Sequence, residues 1–60
     1  MFRVTWWCFG DEVWEGDFPT LDHARWACTQ AKKLAYYEIG LEVVTFSIWY
    51  EGHLIEEITL

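Results

Sequence analysis

Side-chain polarity along this chain changes period twice. From Phe2 to Phe9, the residues Phe2, Val4, Trp6 and Cys8 alternate with Arg3, Thr5, Trp7 and Phe9. Period-two alternation of aromatic and β-branched types predicts a strand over 2–9, and one that is apolar on both faces belongs inside a sheet. Gly10-Asp11 is a turn signal. Over 12–18, Trp14, Gly16 and Phe18 alternate with Val13, Glu15 and Asp17, so one face is dry and one wet, as at a sheet edge.

Pro19-Thr20 stops that pattern, and Thr20 has the chemistry of an N-cap, its hydroxyl placed to accept an amide of the first turn. Asp22 suits the positive end of a helix. Ala24, Ala27, Cys28, Ala31, Leu34 and Ala35 then recur at three-and-four spacing, which predicts a helix over 20–37 with these residues as its buried stripe. Glu38 would fall on that stripe if the helix continued, so the expected end is near Tyr37, with Gly40 as the left-handed exit residue. Over 42–50, Val44, Phe46, Ile48 and Tyr50 alternate with Val43, Thr45, Ser47 and Trp49, and Glu51-Gly52 turns into a last strand over 53–59.

The order is strand, strand, helix, strand, strand in one α+β domain over residues 1–60. A right-handed crossover from the second strand to the third passes over the first and puts the two most apolar strands in the middle. The expected sheet is antiparallel with spatial order 2-1-3-4, one helix on one face, and acid-bearing strands at both edges, where charge discourages unwanted pairing. A stripe made mostly of alanine lets the helix axis approach closely, so large side chains such as Trp6, Phe46 and Ile48 must fill the space from the sheet.

Charge changes this picture more than composition does. Sixty residues lie near the lower limit for folding alone, offset by twelve aromatic residues, five of them tryptophan. The net charge of −6 is segregated: Thr20 to Ile39 holds Asp22 and Glu38 against Arg25, Lys32 and Lys33, while the rest holds eight carboxylates against Arg3. Phosphates repel such a chain, which excludes direct nucleic acid binding. Met1 to Gly10 has no apolar core of a signal peptide and no apolar run is long enough to cross a membrane, so the expected location is cytoplasmic.

Little here points to catalysis. Cys8 and Cys28 lack the spacing of a zinc or redox motif and read as free buried thiols. His23 and His53 are far apart in the pattern, and Ser47 has no neighbouring base. The four glycines are scattered as turn residues, not gathered into a phosphate loop. The acidic runs lack the spacing of a calcium loop, and sixty residues build no cleft around a sugar. The expectation is a protein that is not an enzyme and takes no cofactor or metal.

Two binding surfaces remain. If Trp6, Phe46 and Ile48 point inward, the opposite sheet face presents Arg3, Thr5, Trp7, Glu15, Asp17, Thr45, Ser47, Trp49 and Glu57. Trp7 and Trp49 would anchor there, and Asp11, Glu12, Glu15, Asp17, Glu51, Glu56 and Glu57 would steer a basic partner. The second surface is the outer helix stripe Trp26, Gln30, Lys33 and Tyr37, a candidate contact for a homodimer or a docking partner in a structural or adaptor protein.

The passage Phe18-Pro19-Thr20-Leu21-Asp22-His23-Ala24, a strand leading through a capped turn into an alanine-rich helix, resembles the same passage in small phage-encoded inhibitors. Size and charge together resemble acidic proteins that block nucleic-acid enzymes, such as anti-CRISPR and anti-restriction proteins. That resemblance implies a mimic of nucleic acid phosphates, seated in the basic groove of a nucleic-acid-handling complex. Acids on turns and edges also keep a hydrophobic miniprotein soluble, which is the other reading of the same residues.

Overall fold

A computed structural model describes residues 1–60. Strands β1 (Phe2–Cys8) and β2 (Asp11–Phe18) form a hairpin, helix α1 (Leu21–Ile39) crosses over, and β3 (Thr45–Tyr50) and β4 (His53–Thr59) form a second hairpin. The sheet is antiparallel with order β2-β1-β3-β4, and α1 covers one of its faces. The exposed surface of 4129 Å² is close to the ~4100 Å² expected of a compact monomer of 7.2 kDa.

The helix begins where the chain chemistry puts it. Thr20 is extended, its side chain accepts from the amide of His23 at 3.1 Å, and Asp22 occupies the first turn. Its other end lies two residues beyond the expected one. Gly40 adopts φ 71°, the left-handed region, and its amide reaches the carbonyls of the last turn. Glu38 is helical yet exposed, because nothing packs over that last turn.

Ala24, Ala27, Cys28, Ala31 and Ala35 are buried on α1, while Leu34, expected among them, is 57% exposed. Leu34 follows Ala27 by one heptad and is turned about 20° further round the helix, onto the rim of the buried arc. Two contacts fix which flank faces which edge. Arg25 reaches Glu56 on β4, and His23 packs its ring on Phe18 of β2 at 5.3 Å.

The sheet fills the space left by the alanines. Three cross-strand rows face the helix: Phe18, Phe2, Tyr50 and His53; Gly16, Val4, Ile48 and Glu56; Val13, Trp6, Phe46 and Ile58. Val4, Phe46 and Ile48 are wholly buried, and Trp6 meets Phe46 with ring centres 6.1 Å apart. The Trp6 indole N–H is buried without an acceptor, a cost of about 1–3 kcal/mol carried inside the core.

Both edge strands are bulged. In β2 the register shifts so that Val4 opposes Gly16 while Thr5 opposes Trp14, leaving Glu15 as the extra residue. Gly16 sits at φ 151°, a backbone conformation that side-chain-bearing residues rarely adopt, so glycine suits the bulge. In β4, Ile48 opposes Glu56 and Trp49 opposes Leu54, with Ile55 left over. Bulges and carboxylates on both edges guard the sheet against extension by another chain.

The close approach of the helix makes a checkable demand. Replacing Ala31 with leucine is expected to destabilise the fold by about 1–3 kcal/mol, out of the roughly 3–9 kcal/mol usual for a chain of this length. Leu34→Ala is expected to stay within about 0.5 kcal/mol. Chemical denaturation of the two variants checks the contrast.

Candidate functional site

The sheet face away from α1 is uncovered, and the register sets its contents in rows. One row is Asp17, Arg3, Trp49 and Leu54; the next is Trp14, Thr5, Ser47 and Glu57. Glu12 and Trp7 oppose each other at one end, where Trp7 is 61% exposed, and Thr45 and Thr59 share a 3.0 Å hydroxyl contact on the other hairpin. Glu51 stands at the β3–β4 turn with φ 50°.

Within this face lies a depression of about 560 Å³ lined by Met1, Arg3, Thr5, Glu12, Asp17, Trp49, Glu51 and Gly52. Its aromatic wall is held in place. The Trp49 indole N–H donates to the Thr5 hydroxyl at 2.8 Å, and Thr5 is buried. Arg3 is held too: its Nε donates to Asp17 at 3.2 Å, and its guanidinium lies 5.6 Å from the centre of the Trp14 ring. Arg3 and Asp17 thus balance each other, while Glu12 and Glu51 bring two carboxylates with no ion-pair partner in the structure.

The register overturns part of the expected surface. Glu15 does not share the uncovered face; the extra residue in β2 changes the parity before it and turns Trp14 outward in its place. Glu56 is not there either. It opposes Ile48 on the helix side and takes two hydrogen bonds from Arg25, 2.8 Å from Nε and 2.6 Å from Nη2. Asp11 opposes Cys8 and has the parity of the covered face. Of the seven carboxylates expected at a partner surface, Glu12, Asp17, Glu51 and Glu57 therefore join Trp7 and Trp49, and Asp11, Glu15 and Glu56 do not.

Electrostatics agree with that division. Hydrogen bonding to Arg25 holds the Glu56 carboxyl below its usual range despite partial desolvation. Burial pushes the Cys28 thiol up to about 11, and the negative charges of Glu56 and Glu15 add to the rise. Such a thiol stays protonated and unreactive at neutral pH. Cys8 is half-buried and also free.

On the helix, Trp26 is 57% and Tyr37 81% exposed, with Lys33 between them, and the displaced Leu34 adds to this surface. Sequence reasoning missed Trp14 and Phe9. A glycine inside the β2 pattern was the available signal for Trp14, since it marks a bulge. Phe9 is 82% exposed at φ 51° on the tip of the first hairpin, where a bulky left-handed residue has no sequence signature.

No group of three or more histidine, cysteine, aspartate or glutamate side chains is gathered to hold a metal ion, and no helix is long and apolar enough to cross a membrane. The chain matches no protein family, no curated protein and no solved structure.

The Arg25–Glu56 pair sets a pH dependence with a definite sign. Because the folded-state pKa of Glu56 is depressed, its stabilisation is complete above the unfolded carboxylate range and is lost as pH falls through the folded value. Glu56→Gln is therefore expected to lower stability at neutral pH and to match the parent protein once both are fully acidified. Denaturation midpoints measured across the acid range check it.

Proposed function

We propose that this chain is a small acidic binding protein that inhibits a nucleic-acid-handling complex by occupying its basic groove, in the manner of anti-CRISPR and anti-restriction proteins. The observation that carries this reading is the uncovered sheet face. Four carboxylates and three tryptophans share it, and its one cation, Arg3, is already engaged by Asp17. Tryptophan anchors desolvate well at a contact, and surrounding acids steer a cationic partner and set its orientation.

Magnitudes narrow the kind of groove. Duplex DNA carries one charge per about 1.7 Å of axis and each strand one per about 3.4 Å. The uncovered face sets four carboxylates against Arg3, three net negative charges, which over the longest dimension of 31 Å is one per about 10 Å, sparser than either form of DNA. The fitting partner is a basic groove in which a few widely spaced lysines or arginines meet the free carboxylates. Glu12, Glu51 and Glu57 occupy phosphate positions in this reading, with Asp17 held by Arg3 beside them, and Trp7, Trp14 and Trp49 take the place of stacked bases or sugars. The cytoplasm, host cytoplasm for a phage-encoded inhibitor, is where such complexes work.

The test is capture from lysate on the immobilised protein at low and high salt, with mass spectrometry of what elutes, followed by displacement of labelled DNA from the captured protein. Salt-labile capture of nucleic-acid-binding proteins and displacement of their DNA are expected. The double reversal Glu12→Lys/Glu51→Lys is expected to weaken binding by about ten- to a hundredfold, whereas Glu56→Gln leaves it unchanged. Salt-insensitive binding, or DNA that is never displaced, contradicts the proposal.

A further inference from the structure

The helix carries a second surface whose spacing is symmetric about its own midpoint. Trp26, Gln30, Lys33 and Tyr37 follow one another at intervals of four, three and four. That is the spacing of a coiled-coil seam, and it reads the same in both directions: the sum of the outer pair of residue numbers equals the sum of the inner pair. Two copies of α1 laid antiparallel about a two-fold axis therefore place Trp26 against the partner's Tyr37 and Gln30 against the partner's Lys33, each twice.

The exposures fit a seam. Trp26 is 57% and Tyr37 81% exposed, and the residues flanking the seam, Leu34 and Tyr36, are 57% and 53% exposed. The residues opposite the seam, Cys28 and Ala35, are the ones buried against the sheet. Trp26 is also held ready, since His23 packs on it at 5.5 Å and is itself backed by Phe18. These three aromatics and Leu34 expose on the order of 450 Å² per chain, over half of the ~800 Å² that each partner buries in a stable interface. The stems of Gln30 and Lys33 lie in the same contact and extend it.

Charge favours this face over every other for contact between copies. Both sheet edges and the uncovered sheet face carry carboxylates that repel their own kind. The seam carries one charge, Lys33, set against an uncharged glutamine. Arg25 and Lys32 lie on the other flank of α1, engaged by Glu56 and by the carbonyls of Leu41 and Glu42.

We propose that the chain forms an antiparallel two-fold dimer through this helix seam. The order of layers is then sheet, helix, helix, sheet, with the two acidic faces outermost and both free. The inference does not rest on the functional reading above, because dimerisation is measured on the protein alone.

Sedimentation equilibrium across roughly 1 µM to 1 mM tests it, a range that brackets a contact of this size. Reversible doubling of mass is expected. Trp26→Ala and Tyr37→Ala are each expected to raise the dissociation constant at least about tenfold, with circular dichroism showing that the exposed substitutions leave the fold intact. Gln30→Glu is expected to tighten the dimer and Gln30→Lys to weaken it, by about three- to tenfold each, and Gln30→Lys/Lys33→Glu, which restores opposite charges across the seam, to tighten it again as Gln30→Glu does. A monomer throughout the range overturns the proposal. So does a dimer that is lost with Trp7 or Trp49 but not with Trp26, or one that responds alike to glutamate and lysine at position 30.

Discussion

Everything in this fold follows from how near α1 comes to the sheet. Four of its five buried residues are alanines, so the helix contributes backbone and methyl groups to the core while the sheet contributes bulk. Val4, Trp6, Phe46 and Ile48 are the size that this gap accepts, and they form the middle of the inner faces of the two central strands. In sixty residues there is no second core. Every other large side chain stands at the margin of this one or in solvent, which is why an aromatic-rich chain leaves four of its five tryptophans partly or largely exposed.

One-sided covering also sorts the charge. The helix side holds three of the four cations and neutralises the acid that comes within reach, with Arg25 clasping Glu56 through two hydrogen bonds and joining the crossover helix to the far hairpin. On the uncovered side Arg3 is matched by Asp17, and Glu12, Glu51 and Glu57 remain without an ion-pair partner. The molecule therefore has two unlike surfaces: an acidic sheet studded with indole, and a helix seam that is apolar and nearly neutral. The proposed cationic partner and the proposed second copy would each use one of them, and the two do not compete for the same residues.

The architecture was legible in the sequence because periodicity states it directly. Alternation marked four strands, alanine spacing marked the helix, Thr20 and Gly40 marked its limits, and the apolar character of β1 and β3 put them in the centre. The surface was less legible. One extra residue in β2 exchanges Glu15 for Trp14 on the outer face; Glu56 lies beside the helix by plain alternation from Glu57, where Arg25 holds it. A bulge reverses parity for everything before it while leaving composition untouched, so a reading of faces by alternation fails at that point though the strand itself is correctly placed. Leu34 is a different case: its spacing sets it on the rim of the buried arc, about 20° beyond Ala27, and spacing alone does not say on which side of that rim the sheet stops. Glu38 stays helical because the last turn outruns the sheet, so the burial that seemed to forbid it never arises.

Which face of the sheet the helix covers is the claim that supports all the rest, and nuclear Overhauser contacts from the alanine methyl groups measure it directly. The methyls of Ala24, Ala31 and Ala35 are expected to show contacts to the side chains of the cluster formed by Val4, Phe46 and Ile48, with none to the rings of Trp7, Trp14 or Trp49. Contacts from those methyls to Trp7 or Trp49 would put the helix on the opposite face and contradict the account.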